Sequence, residues 1–213
     1  MRVIAISDIH AHVKTFKKLI EDKVQLTKTD KLFLLGDYVH RGPSDEGVFD
    51  YILNLQSKGY QIECLLGNHE LMWMKEQHDQ GISIPNKYRK FLKNCKFCIE
   101  YENFIFVHAG LNFSLTNPLV DNEDLVWIRN WYKDIDYHWL GERTIIHGHT
   151  PIGKAIIRQR VNNYEKAIGI DNGCFTDLKR DMGQLCAFDL TNWELYFQKN
   201  IERKKKSFFS FEY

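Results

Sequence analysis

The sequence predicts an α/β fold with two sheets held between helical layers. Three observations predict it. A short apolar run, a polar loop and an amphipathic segment follow one another three times in the N-terminal part of the chain; a hairpin pattern comes next; and further strand-like runs near the C-terminus are enough for a second sheet. At 213 residues, 44% apolar, the chain has material for one large core and too little for two ordinary domains, so a single domain over residues 1–213 is expected.

Val3–Ile6 is continuously apolar, the pattern of a strand covered on both faces, and it stops at Ser7-Asp8-Ile9-His10. Val13, Phe16, Ile20 and Val24 then share one helical stripe with lysines opposite. The unit repeats. Leu32-Phe33-Leu34-Leu35 runs into the turn Gly36-Asp37-Tyr38-Val39-His40-Arg41-Gly42, and Val48, Tyr51, Ile52 and Leu55 predict a helix that Gly59 ends as a C-cap. A third strand at 62–66 meets Gly67-Asn68-His69-Glu70 and a helix carrying Leu71, Met72 and Met74, with Asn68 as its expected N-cap. Successive βα units predict a largely parallel sheet.

Residues 85–94 read as a short basic helix, and 96–101 with Phe104–Val107 as a hairpin over Glu102-Asn103 that ends at His108-Ala109-Gly110. The tryptophan-rich stretch 121–137 predicts helices over one end of the site. Thr144-Ile145-Ile146 leads into His147-Gly148-His149-Thr150-Pro151, and strand-like runs at 155–161, 167–170, 185–190 and 194–198 are expected to build the second sheet.

Composition excludes several classes. With 29 basic and 28 acidic residues there is no net field to steer the chain toward nucleic acid, and its apolar runs are shorter than a membrane span. The first apolar stretch meets Ser7 and Asp8 too early for a signal peptide, so the cytoplasm is the expected location. Five scattered cysteines do not suggest a disulfide framework, and Cys95 and Cys98, spaced like a redox or zinc pair, have no second pair to complete a four-thiolate site.

The polar residues fall where strands end. In open α/β sheets ligands bind beyond the carboxyl ends of the strands. Five predicted strands end in Asp8/His10, Asp37/Arg41, Asn68/His69, His108 and His147/His149. One histidine after a strand is ordinarily a turn or core residue, and one Gly-Asp pair an ordinary turn. Five such endings, all with residue types that bind metals, point to a metal site.

These blocks, in this order over residues 8–150, resemble the calcineurin-like metallophosphoesterases. Within that superfamily they are similar to the phosphoprotein phosphatase branch of small bacterial and phage serine/threonine phosphatases, to which diadenosine tetraphosphatases are related. The resemblance implies a four-layer αββα sandwich and two divalent metal ions, manganese first, with iron or zinc as alternatives. Asp8, His10 and Asp37 would hold one ion; Asp37, Asn68, His108 and His149 would hold the other. A shared carboxylate suits two cations about 3.5–4 Å apart, because it screens their repulsion. The implied reaction is hydrolysis of a phosphomonoester without a covalent intermediate, a hydroxide between the metals attacking phosphorus in line. Arg41, Arg129 and Asn68 would bind the phosphate and His69 would protonate the leaving oxygen. His40, Glu70 and His147 would stand behind this set, His147 otherwise simply ending its strand. His12, His78 and His138 match no block.

The implied substrate is a phosphorylated protein or peptide, or a small phosphate ester, with no nucleic acid and no membrane. A dinucleoside polyphosphate is the alternative, and a degenerate binding module a third reading that the complete ligand set argues against. The sequence does not specify an oligomeric state. Several positions depart from the family pattern: His40 replaces a common aspartate that orients the catalytic histidine, Leu66 replaces an arginine, and Ala11 replaces a glycine. If His69 is the acid, either another group holds its tautomer or its pKa and the pH optimum differ. Pro151 takes the place of an additional histidine found in phosphodiesterases, which argues against that branch. The tail 202–213 joins a basic run to four aromatics and is expected either to dock on the core or to meet a partner.

Overall fold

The computed structural model describes residues 1–120, 123–176 and 181–202. Val3–Ile6 (β1), Lys31–Leu34 (β2) and Gln61–Cys64 (β3) pair in parallel, as the βα repeat predicts. Helix α1 (Val13–Lys18) follows β1 and continues as a wider π-helical stretch, Leu19–Val24, that stops at Gln25 in a left-handed conformation. Helix α2 (Asp45–Ser57) follows β2, its start capped by the Ser44 hydroxyl, which accepts the Gly47 N–H at 3.2 Å. Helices α3 (Asn68–Asp79) and α4 (Asn86–Asn94) precede the hairpin of β4 (Cys98–Tyr101) and β5 (Phe104–Val107). Short helical turns α5 (Asp124–Trp127), Trp131–Asp134 and α6 (Tyr137–Leu140) lead to β6 (Thr144–His147), α7 (Lys154–Asn162) and β7 (Ala167–Gly169). The chain then forms β8 (Gln184–Asp189) and β9 (Glu194–Lys199).

The sheets run β3-β2-β1-β8-β9 and β4-β5-β6-β7. Alternation along each strand builds three apolar interfaces. Ile4, Ile6, Leu32 and Leu34 pack on Phe16, Phe49, Ile52 and Phe91 of the helices. Val3, Ala5 and Phe33 face Phe106, Ile146 and Ile168 of the other sheet. There the Phe33 and Phe106 rings stack 4.0 Å apart, a contact worth about 0.5–1.5 kcal/mol beyond burial. Ile105, Val107 and Ile145 turn outward onto Leu125, Trp131 and Leu140. The order is therefore helices, sheet, sheet, helical turns: four layers.

Three local expectations are corrected. Residues 155–161 are not a strand but the body of α7. Ile157 and Val161, four apart, both reach the inter-sheet core, and the parallel pair β6–β7 needs a crossover of this kind. β8 and β9 complete the first sheet, not the second, with β8 antiparallel to β1, so that sheet is mixed. The cap of α3 is Gly67, and Asn68 is the first helical residue. Cys95 and Cys98 turn apart, Cys95 donating to the Phe91 carbonyl and Cys98 to the Leu119 carbonyl. Of the C-terminal tail, residues 203–213 lie outside the described residues, as do 121–122 of the tryptophan-rich stretch. No helix among the described residues is long and apolar enough to cross a membrane.

Candidate active site

The loops after β1, β2, β3, β5 and β6 are tied to one another by backbone and carboxylate hydrogen bonds. Ile9 and His10 both donate N–H to the Asp37 carbonyl, at 3.0 and 2.8 Å, and Gly148 donates to the His108 carbonyl at 2.9 Å. Glu70 is fully buried and joins two turns. Its carboxylate accepts N–H groups from Asp37 at 2.8 Å, Tyr38 at 2.7 Å, Val39 at 3.2 Å and Gly67 at 2.9 Å. Burial pushes its carboxyl up to about 7, while those four donors favour the ionised form.

This packing forces unusual backbone. His10, Ala11, Asp37, His40, Arg41 and His149 all have φ between 49° and 72°. Positive φ costs an L-residue on the order of 1–2 kcal/mol, and such strain collects where a site over-determines it. The glycine that Ala11 replaces would relieve that cost.

The histidines are held from behind. His108 faces the Leu35 carbonyl through Nδ1 at 2.8 Å; in the tautomer that donates this bond, its Nε2 lone pair points at the Asn68 side-chain oxygen (3.1 Å) and Asp37 (3.4 Å). His10 faces the Val39 carbonyl through Nδ1 at 3.2 Å and Asp37 through Nε2 at 3.7 Å. His149 puts Nδ1 3.1 Å from the same Asn68 oxygen, and its backbone N–H donates to both oxygens of Asp8, at 3.1 and 3.0 Å. Two sets of donor atoms result, His10, Asp37 and His69 in one and Asp37, His108 and His149 in the other; within each set all atoms lie within 4.8 Å of one another. Asp37 belongs to both.

Burial shapes the electrostatics. It raises the Asp8 carboxyl well above its ordinary value, with Asp171 and Asp37 adding like charge, and it raises Asp37 with help from Glu70. The imidazoles move the other way: burial lowers His10 to about 3, with His69 and Arg41 contributing, lowers His149 to about 4, and takes His108 well below its usual value. Burial thus favours the uncharged form of these rings, the form that can offer a lone pair to a metal ion. The residues present fit a pair of divalent cations: all donors are nitrogen or oxygen, and one carboxylate serves both sets.

The remaining residues predicted for the site divide. Arg41 is exposed, with its guanidinium 5.3 Å from the centre of the Phe175 ring. Arg129 donates to the Thr150 hydroxyl at 3.2 Å, near enough that its charge acts on His149 and Asp171. His69 sits beside His40, Nδ1 to Nδ1, at 2.9 Å. His147 is turned away: its Nε2 meets the Tyr132 hydroxyl at 2.5 Å, and Tyr132 also bonds Arg160 of α7, so it acts as a strand-end residue.

Three neighbours escaped the sequence reading. Asp171 follows β7 at a strand end like the others; it is buried with Oδ2 lacking a hydrogen-bond partner, and burial pushes its carboxyl up to about 7 despite the Gly173 N–H and Arg129. Phe175 packs edge-on against His10, with ring centres 4.6 Å apart. Glu76 reaches His40 from two turns along α3. The strand-end rule, carried through to Ile170-Asp171, would have found the first.

A model of the calcineurin-like phosphoesterase family matches residues 1–174. The chain belongs to that family. Among its curated relatives are the zinc-dependent endopolyphosphatase of Saccharomyces cerevisiae, 40% identical over 32% of this chain and 21% of that protein, and the symmetrical bis(5'-nucleosyl)-tetraphosphatase of Nitrosomonas europaea, 24% identical over 65% of this chain and 60% of that one. The matched region thus spans less than two thirds of either relative. Similar solved structures include a putative diadenosine tetraphosphatase, with TM-score 0.71, 22% identity and 92% of both chains covered. Another is a serine/threonine phosphatase of Saccharomyces cerevisiae, with TM-score 0.68, 13% identity, and 96% of this chain and 81% of that one covered. At these identities the structures share the phosphoesterase fold.

Proposed function

We propose that this phosphoesterase chain is a metal-dependent hydrolase of phosphate esters, using Asp8, His10 and Asp37 for one divalent ion and Asp37, Asn68, His108 and His149 for the other. The observation that carries the reading is the sharing of Asp37 between two buried donor sets, one with His10 and His69 and the other with His108 and His149; Asp8, hydrogen-bonded to Asp37, would take the place of His69 in the first. Ions bound there would lower the pKa of a captured water and neutralise charge on the phosphate. Manganese suits the mixed nitrogen and oxygen donors, with iron or zinc as alternatives, and the yeast relative's zinc dependence keeps zinc among them.

The chain's own residues do the rest. Arg41, braced on Phe175, and Arg129, braced on Thr150, offer planar forks for phosphate oxygens, with the Asn68 side chain between the imidazoles of His108 and His149. His69 gives its Nε2 proton to the leaving oxygen as the oxygen–phosphorus bond breaks, the electron pair staying on that oxygen.

Two substrate classes remain in view, and each has support. A phosphoprotein, hydrolysed by a serine/threonine or dual-specificity phosphatase, accords with the sequence blocks and with the fold shared with the yeast phosphatase. A dinucleoside polyphosphate accords with the names of the bacterial relatives and with His40 standing where many protein phosphatases have aspartate. Turnover of p-nitrophenyl phosphate with manganese tests the common reading, and its absence with manganese, iron, zinc and magnesium alike overturns it. Phosphopeptide and diadenosine tetraphosphate, compared by kcat/KM, decide between the classes. Replacing Arg41 with alanine should raise KM for either.

A further inference from the structure

His69 carries its acid role only if the ring is turned so that Nε2, the nitrogen that delivers the proton, faces the substrate, and its immediate neighbour does not ensure this. That neighbour is His40, Nδ1 to Nδ1 at 2.9 Å, and a neutral imidazole can donate or accept at that nitrogen. Beyond His40 lies a group with no such freedom. The Glu76 carboxylate, an acceptor only when ionised, meets His40 Nε2 at 3.1 Å. Residues 69 and 76 are seven apart on α3 and therefore share a helical stripe, with His40 spanning them from the turn after β2. The position of His40 is itself fixed, its backbone held at φ 66° and its N–H donated to Asp45 at 2.7 Å.

We propose that Glu76 and His40 are positioning residues for His69, a carboxylate acting through one relaying imidazole. The proposal rests on the reading of His69 as proton donor. Glu76 holds the proton of His40 on Nε2, which leaves the His40 Nδ1 lone pair facing His69. His40 then accepts the Nδ1–H of His69, fixing that ring's orientation and leaving Nε2 to face the substrate. His69 acts as the acid in the form protonated at both nitrogens: it gives its Nε2 proton to the leaving oxygen, loses its positive charge and finishes as the neutral Nδ1–H tautomer, still bonded to His40. No proton has to move along the relay. Orientation of the ring is what the relay supplies.

The test uses the manganese-loaded protein and two substrates that differ in leaving group. With phenyl phosphate, whose leaving oxygen needs a proton, Glu76→Gln should lower kcat about tenfold, part of the 10²–10⁴-fold a general acid provides, with KM little changed. With 2,4-dinitrophenyl phosphate, whose leaving oxygen needs none, the same change should alter kcat by less than about twofold. In a His40→Ala background the relay is already cut, and Glu76→Gln should add nothing. Nitrogen-15 shifts of His69 should report an Nδ1–H tautomer in the parent protein and a mixture in both variants. Glu76 is half exposed on its helix, so Glu76→Gln is expected to fold. Equal losses on both substrates, or an undiminished loss in the His40→Ala background, overturn the relay. Failure of the parent protein to hydrolyse either substrate would instead count against the hydrolase reading.

Discussion

Gly67→Ala isolates the placement of the shared carboxylate. Gly67 has φ −103° and ψ 171°, a conformation alanine adopts freely, so the backbone itself exacts nothing. The contact does. A methyl group there would lie 2.2 Å from Asp37 Oδ1 and 2.5 Å from the Asp37 nitrogen, where ordinary contact begins at 3.4 Å. The carboxylate must retreat by more than about 1 Å, and overpacking of that kind costs about 1–3 kcal/mol. The retreat also breaks the bond Asp37 accepts from the His69 N–H at 3.0 Å, a further loss of about 1–2 kcal/mol. Displacing a metal ligand through its supporting shell weakens binding about 10–100-fold, and here both ions should weaken because the proposed sites share Asp37. Gly148→Ala is the contrast, since its methyl would lie 2.1 Å from Oδ1 of Asp8, proposed as a ligand to one ion only. Manganese titration calorimetry, with urea unfolding of the metal-free proteins, reads both quantities. Two sites of unaltered affinity in Gly67→Ala, or loss of one site alone, would refute the reasoning.

Further outcomes follow from charge. Asp30 accepts three bonds from Arg2 and two from Thr27, and these outweigh burial to hold its carboxyl below the ordinary range. Asp30→Asn sets an amide against at least two of those donors and should cost about 2–4 kcal/mol in urea unfolding at pH 7. Because the folded value is depressed, the deficit should be full above the unfolded value of about 3.9 and shrink as pH falls below it; a deficit constant down to pH 3 would contradict this. Metal binding should release protons at pH 6. Burial favours the protonated form of the Asp8 and Asp37 carboxyls until a cation binds, so calorimetric heats should scale with buffer ionisation enthalpy, and a zero slope would count against it.

Much of the fold was legible because its information is local. Three βα units announce themselves by period, and the polar endings of β1, β2, β3, β5 and β6 meet because strand direction puts them on one edge of the sandwich. What was not legible depended on partners. The run at 185–190 reads as a strand whichever sheet receives it, and only its antiparallel register with β1, Ala5 opposite Phe188, assigns it to the first. The misreading of α7 came from β-branched Ile156, Ile157 and Val161, whose composition favours strand; the four-residue spacing of the two buried ones was the better guide. Glu70 looked like a helix-start residue. That it also binds three amides of the preceding turn is a long-range fact that no spacing encodes.

The most direct measurement is p-nitrophenyl phosphate turnover by metal-free protein as manganese is added in known equivalents, alongside Asp37→Asn. Activity should climb to a plateau at two ions per chain, and the variant, deprived of the anion both ions share, should stay more than about a hundredfold lower. A plateau at one ion, activity that ignores added metal, or an Asp37→Asn variant as active as its parent would contradict a paired centre built on that carboxylate.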